Sequence, residues 1–238
     1  MKGRRVIKIG GSLLFTEKGV LDITKIEKFC QMFKKNNNSD TIVIICGGGM
    51  IAREYINAVR SFQENEALCD TIGIELSRVN SKLLIASLKD LAYPIVPKSM
   101  EELSIALLFN KIIVMGGLQP GQSTTSVALE VAEFMNADEL IILTDVKGIY
   151  DKDPKKFDDA KLLKNLTYRE LQDIIFDSSK DKQAAAGEYR IFDAVSLQIL
   201  KRSNIKTVIL SGKILNEFEK YWNGEVDITC TIITNEKL

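Results

Sequence analysis

The residues best suited to chemistry in this chain gather at glycine-rich turns. Gly116 to Ala132 reads GGLQPGQSTTSVALEVA and follows an apolar run, Lys111 to Met115. A strand that delivers such a turn into a helix N-terminus aims free backbone N–H groups and a positive dipole end at one point, which suits a phosphate. Ser123, Thr124 and Thr125 offer N-caps and hydroxyl donors, Pro120 stiffens the approach and Gly121 lets backbone come close to a ligand. The stretch is also a near-miss to a P-loop, with Gln122 where the phosphate-binding lysine would stand. An ordinary strand-to-helix turn would read the same way in isolation.

Other stretches repeat the theme. Lys8 lies within an apolar run, RVIKI, two residues before Gly10-Gly11-Ser12. An ammonium inside a strand must reach the sheet edge or meet an anion, and it could supply the charge that Gln122 lacks. Gly47-Gly48-Gly49 ends the run TIVIIC and opens a helical pattern carrying Arg53, which can fork onto a phosphate or lie in solvent. Gly47, Gly49 and Ala52 also match the dinucleotide fingerprint, with Asp70 about twenty residues on. That reading predicts an NAD-dependent oxidoreductase, but Asp70 falls at the start of a helical pattern instead of a strand end. Asp145, Asp153 and Asp193 could anchor a metal–nucleotide or orient a lysine; as a turn former, a loop residue and an N-cap they need no such role.

The chain has no histidine, which excludes a Ser-His-Asp or Cys-His apparatus and the usual histidine-based zinc sites. Cys30, Cys46, Cys69 and Cys230 show no metal-ligand spacing, and Cys30 and Cys46 read as buried small hydrophobes. Formal net charge is zero, without a long basic run, which argues against nucleic acid or an anionic membrane as the main partner. With no membrane-length apolar run and no signal-peptide pattern, the expected compartment is the cytoplasm.

The elements that must position these residues alternate. Arg5–Ile9, Thr41–Cys46, Lys111–Met115, Glu139–Thr144, Thr207–Leu210 and Asp227–Thr234 read as strands, the last at a sheet edge. Asp22 caps a helical pattern with Ile23, Ile26, Cys30 and Phe33. Ile51, Tyr55, Val59 and Phe62 mark a second stripe, and Ile72, Leu76, Val79, Leu83 and Ala86 a third. Lys152–Lys164 reads as a loop, and Asp193 caps a helix with Ala194, Leu197 and Leu200. This is an α/β chain with a largely parallel sheet covered on both faces, read as one domain over residues 1–238. Ligands in such sheets bind beyond the C-terminal strand ends, where Gly10-Gly11-Ser12, Gly47-Gly48-Gly49, Gly116-Gly117 and Thr144-Asp145 converge. The arrangement suits a long polyanion, or two anions end to end.

Together, KIGGSLL, CGGGMIAREYI, LCDTIGIELSRVNSKLL, GGLQPGQSTTSVA, LTDVKGIYDKDP and GEYRIFDAVSLQILKRS resemble the amino-acid kinase superfamily, and within it the archaeal-type uridylate (UMP) kinases. The resemblance implies a three-layer αβα sandwich around a mostly parallel sheet and transfer of the ATP γ-phosphoryl group to UMP, giving UDP and ADP. Its N-terminal half would hold mainly the phosphate acceptor and its C-terminal half mainly the ATP nucleoside. Mg²⁺ would arrive with ATP, with no metal site of the protein's own.

Carried over by position, Lys8, Gly11 and Ser12 would cradle the phosphoryl in transfer, with Gly49 and Arg53 also on the ATP side. Thr144, Tyr150 and Asp153 would line the ATP nucleoside pocket. Gly48 and Asp70 would hold UMP, and Leu118, Gln119, Pro120, Gly121, Gln122, Ser123 and Thr124 would wrap its phosphate and base. Asp193 resembles a residue that orients catalytic lysines, and the family implies a homohexamer built as a trimer of dimers. The chain departs from many relatives in carrying Thr125, then Ser126, where they place an acidic residue; Ser178 to Gly187 fits the pattern loosely and reads as a mobile loop. Kinases of isopentenyl phosphate or of an amino-acid carboxylate, and non-catalytic nucleotide- or oxyanion-binding proteins on the same fold, are the alternatives.

Overall fold

A computed structural model of the chain describes residues 3–35, 41–152, 154, 157–178, 191–225 and 227–235. The predicted elements form close to where the hydrophobic pattern puts them, joined by three helices and one short strand that the sequence reading did not include. In chain order the elements are β1 (Arg4–Ile9), α1 (Ile23–Lys35), β2 (Thr41–Cys46), α2 (Gly49–Ser61), α3 (Glu66–Leu88), α4 (Met100–Ala106), β3 (Ile113–Met115) and α5 (Thr124–Phe134). They continue as β4 (Glu139–Thr144), β5 (Asn165–Thr167), α6 (Tyr168–Ser178), α7 (Ala194–Ser203), β6 (Thr207–Ser211), α8 (Leu215–Trp222) and β7 (Cys230–Thr234).

Among the described residues the strands make one sheet in the order β3-β2-β1-β4-β6-β7-β5. β3, β2, β1, β4 and β6 run parallel, so their C-terminal ends share one edge. β7 turns antiparallel to β6 and carries β5 on its outer side. The expectation that the last strand lies at an edge is therefore corrected: β7 is interior, and the three-residue β5 is the edge. A polar strand of that length leaves too few alternations to recognise.

Alternating strand residues feed two apolar layers. Val6, Val43, Ile45, Leu140 and Ile142 pack with α4, α5, α6 and α7 on one face. Ile7, Ile9, Ile44, Ile141 and Leu143 pack with α1, α3 and α8 on the other, where Phe29, Phe33, Phe218 and Trp222 form an aromatic cluster. Helix starts are set by caps. Asp22 accepts from Lys25 N, Asn65 from Leu68 N, Ser99 from Glu102 N and Ser123 from Ser126 N, while Asp193 and Ser196 form a reciprocal capping box.

Two apolar stripes face differently from their sequence reading. On α2, Ala52 and Ile56 are buried, whereas Tyr55 is 56% exposed and Phe62, the C-cap, 74%. On α3, Val79 is exposed, and the buried face mixes Ile74 and Leu84 with Ser77, Asn80 and Ser81. The reason lies in what α3 covers. It lies against glycine turns whose backbone needs hydrogen-bond partners, so polar side chains win the inner positions.

Gly11 makes the tightest of these approaches: a Cβ there would stand 2.2 Å from Gly49 N and 2.3 Å from Gly47 O. Both are backbone atoms that cannot rotate away. We expect Gly11→Ala to cost about 1–3 kcal/mol and to lower Tm by about 2–12 °C. Gly121→Ala meets no atom within 4 Å and bears only the strain of φ +81°, about 1 kcal/mol. Thermal melts of the two variants check this; the reverse order of loss would refute the backbone-on-backbone contact.

Candidate active site

The glycine turns are stitched to the sheet edge and to one another. Gly10 N donates to Leu143 O at 2.9 Å, Gly47 N to Ile9 O at 3.0 Å and Gly212 N to Thr144 O at 2.8 Å, so the ladder continues past the strand ends. Gly11 begins a short 3₁₀ turn, Gly11–Leu14, directly against the second turn. Gly48 is right-handed (φ −73°, ψ −29°) and Gly49 left-handed (φ +76°), and no side chain caps α2. Successive residues of opposite hand turn their N–H groups to one side and form a concave nest for an anion. Gly116 and Gly117 lie as close to α3: a Cβ would meet Ser77 Oγ at 2.6 Å and Ile74 Cγ1 at 2.9 Å respectively.

Lys8 sits on β1 opposite Ile45 of β2 and Ile142 of β4, on the face covered by α5. Its side chain is half-buried. Burial brings its ammonium from 10.5 down to about 8, opposed by its neighbours Cys46 and Asp145. The neighbouring Cys46 thiol is pushed up to about 12 by its own burial. An ammonium short of water and of a full counter-charge is primed to receive an anion.

The PGQST turn is held at both ends. Gly121 N donates to Asp70 Oδ2 at 2.8 Å, joining this turn to α3 across 51 residues of sequence. Gln122 Nε2 donates to Glu130 at 3.1 Å. Ser123 caps α5, leaving Leu118, Gln122, Ser123 and Thr124 half-buried and Gln119, Pro120 and Gly121 exposed. Ser126 Oγ, fully buried, donates to Asp193 at 2.9 and 3.1 Å, tying the N-terminus of α5 to that of α7.

The sequence-predicted residues thus fall in three groups. Lys8, Gly11, Ser12, Gly48 and Gly49 gather where β1 and β2 end, with Arg53 one turn into α2, half-buried and without an ion pair among the described residues. Thr144 ends β4 beside them and bonds Asp145 at 3.4 Å. Asp70 and the PGQST turn form the second group, linked through Ser126 to Asp193. Tyr150 belongs to a third, paired with Leu162 in an isolated bridge on the stretch after β4. Asp153 lies outside the described residues, as do residues 179–187 of the expected loop.

Sequence reading missed Ser77, Arg78 and Asn80, which hold the turns from behind. Ser77 Oγ accepts from Gly117 N at 2.7 Å, and Arg78 donates to Gly117 O at 3.1 Å and Leu118 O at 3.2 Å. Asn80 Nδ2 donates to Gly47 O at 2.8 Å and Gly48 O at 3.1 Å. The available signal was a run of small and amide side chains, Ser77, Asn80 and Ser81, at helical spacing on one face of the helix. Lys213 was missed too; it follows Ser211-Gly212 at the end of β6 and adds an exposed ammonium to this edge.

The geometry has close parallels. The model of the amino acid kinase family matches residues 3–211. The chain belongs to this family. It is 44% identical to the uridylate kinase of Methanobrevibacter smithii, over 92% of this chain and 95% of that protein. It is 37% identical to the uridylate kinase of Methanocaldococcus jannaschii, over 94% and 98%. The crystal structure of uridylate kinase from Archaeoglobus fulgidus superposes with a TM-score of 0.80 at 32% identity, covering 98% of this chain and all of the other. As a family member the chain has the fold read from its motifs: a mostly parallel sheet between two helical layers.

The lowered Lys8 value has a consequence in solution. An unfolded lysine holds its proton up to about 10.5, so between pH 8 and 10.5 the unfolded chain binds more protons than the folded one. Stability linked to Lys8 therefore rises with pH across that window, and the cost of its buried charge is complete below pH 8. A bound polyphosphate restores the counter-charge and raises the value. ATP binding at pH 8.5, where Lys8 is already roughly one-quarter protonated, should then take up at most about three-quarters of a proton, read by calorimetry in buffers of different ionisation enthalpy. Lys8→Met should abolish the uptake and melt above the parent protein at pH 7; unchanged uptake in the variant would exclude Lys8 as its source.

Proposed function

We propose that this chain is a uridylate kinase, transferring the γ-phosphoryl group of ATP to UMP to give UDP and ADP, a step in pyrimidine nucleotide synthesis. The observation that carries the reading is the meeting of a desolvated lysine and three glycine turns at one sheet edge, in a chain matched along most of its length by uridylate kinases. Two phosphate-bearing substrates placed end to end need such a row of donors.

In this reading Lys8, Gly11 and Ser12 receive the phosphoryl in flight, with Gly49 and Arg53 on its ATP side. Thr144, Tyr150 and Asp153 line the nucleoside of ATP. Gly48, Asp70 and the segment from Leu118 to Thr124 (Gln119, Pro120, Gly121, Gln122 and Ser123 between them) hold UMP. Asp193, fixed by Ser126 and its own capping box, keeps the α7 end of the site in place and orients the lysines. The N-terminal half then serves mainly the acceptor and the C-terminal half mainly the ATP nucleoside, within one domain over residues 1–238.

A UMP phosphate is already ionised at neutral pH, so its oxygen attacks without a general base, and a chain lacking histidine forgoes nothing. Transfer breaks the bond between the γ-phosphorus and its bridging oxygen and forms one to the UMP oxygen. Lys8 and the N–H groups of the turns offset the charge on the passing group. In this reading Mg²⁺ would arrive with the ATP phosphates, while the lysine and N–H groups of this edge suit the phosphates themselves. When bound, the ion neutralises phosphate charge.

No described helix is long and apolar enough to cross a membrane, in keeping with the proposed cytoplasmic site of action. The apolar residues left exposed on α2, at its C-cap and on α3, namely Tyr55, Phe62, Leu68 and Val79, support assembly into a homo-oligomer, with a hexamer of three dimers as the expected form.

An ADP-release assay across UMP, CMP, isopentenyl phosphate and N-acetylglutamate should show UMP preferred; preference for any other acceptor would overturn the reading. Lys8→Ala should lower kcat by at least about 100-fold while UMP affinity stays within a few-fold, measured by steady-state kinetics and calorimetry. Unchanged turnover would remove Lys8 from the mechanism.

A further inference from the structure

The concave nest at Gly48-Gly49 is shaped from outside the turn. A trans peptide points its C=O and its N–H in opposite directions. Asn80 draws the carbonyls of Gly47 and Gly48 towards α3, at 2.8 and 3.1 Å, through the two hydrogens of one amide nitrogen. The N–H groups of Gly48 and Gly49, which share those peptide planes, are thereby turned away from α3. Gly11 packs against the same segment, within reach of Gly49 N and Gly47 O. Asn80 is 7% exposed, and the only hydrogens it can offer are those of its amide. Its orientation is unambiguous because both partners are acceptors.

Less than one helical turn back, the same helix grips the other turn. Ser77 and Arg78 bind Gly117 N, Gly117 O and Leu118 O, and Asp70 binds Gly121 N. α3 is thus the common backing for both turns, and the spacing along one rigid helix fixes the distance between them.

We propose that Asn80 is a positioning residue for phosphoryl transfer, holding the Gly47-Gly48 peptides so that their N–H groups face the passing phosphoryl group, in register with the acceptor turn that Ser77 and Arg78 hold. The proposal rests on the uridylate kinase reading for the identity of the acceptor, but not for the grip on phosphate. It separates two roles on one helix. Loss of Asn80 frees the nest and leaves the acceptor turn braced, so the effect falls chiefly on kcat and on ATP, and on UMP only through its single contact at Gly48. Loss of Arg78 frees the Gly117-Leu118 carbonyls, so the effect falls on the KM for UMP.

The test compares Asn80→Ala, Asn80→Asp and Arg78→Ala with the parent chain by steady-state kinetics, ATP calorimetry and thermal melting. Asn80→Ala should lower kcat by about 100-fold, the scale seen when an oxyanion donor is lost, and weaken ATP, with the KM for UMP within about threefold. Asn80→Asp keeps the shape but sets a carboxylate against two carbonyls. It should be at least as impaired at pH 8 and recover relative to the parent as pH falls and the carboxyl group regains a proton to donate. A fall in kcat of less than about threefold in Asn80→Ala, or an equal loss of both substrates and of folded protein at assay temperature, would overturn the positioning role. So would an Asn80→Asp profile that runs parallel to the parent at every pH. If the parent chain does not phosphorylate UMP, the acceptor reading fails alone. ATP affinity still decides Asn80, with at least about tenfold weaker binding expected in Asn80→Ala and unchanged binding refuting it.

Discussion

Gly11 and the Gly47–Gly49 turn touch backbone to backbone, and everything at this sheet edge depends on that contact. A Cβ on Gly11 would fall within 2.3 Å of two main-chain atoms, and one on Gly49 within 2.7 Å of the carbonyl group of Gly11. Side chains would have separated the first two strand ends by several ångströms and filled the space with apolar or rotatable groups. Their absence lets two loops present N–H groups side by side, just beyond the end of the strand that carries Lys8. Such closeness has a cost. Glycine backbone is free in the unfolded chain and must be fixed by something else in the folded one.

That fixing comes from α3, which explains a helix face that hydrophobic periodicity misreads. A helix serving only as a cover would bury Ile72, Leu76, Val79 and Leu83 against the sheet. Here Val79 is exposed, and Ser77, Asn80 and Ser81 are 7% exposed or less. Ser77 and Asn80 answer backbone groups that the glycine turns would otherwise leave unpaired, while Ser81 bonds Ser77 O within the helix, and an unpaired buried amide costs about 1–3 kcal/mol. Val79, left on the outside of α3, belongs with Tyr55 of α2 and Phe62 at its C-cap to the surface that the proposed assembly would cover. One constraint therefore accounts for the polar inner positions and for Val79 outside them.

The parts of the structure legible in the sequence were those encoded by local pattern. TIVIIC and ELIILT are continuous enough to be central strands, and Asp22, Ser123 and Asp193 sit where caps belong. The glycine turns were legible because few residues permit such backbone. What escaped was set by distance in sequence. Ser77 reads as an ordinary helix residue until Gly117, 40 positions away, is seen against it. Ser126 likewise means nothing until Asp193 arrives from 67 residues on. β5 needs β7 beside it to be a strand at all. A three-residue segment has no period of its own, so only its partner reveals it.

The absence of histidine, a negative fact of composition, links the chemistry to this architecture. A reaction needing a proton removed in its transition state must place one titrating group well, and the rest of the site can be loose. Transfer between two ionised phosphates needs no such group, so the barrier must fall through placement of fixed charges and dipoles. Placement errors near an ångström are then expensive, and flexible side chains are poor tools. Short glycine turns braced by a helix, and one lysine embedded in a central strand, are stiff ones. On this argument the buried polar face of α3 belongs to the catalytic design as much as Lys8 does, although it touches neither substrate.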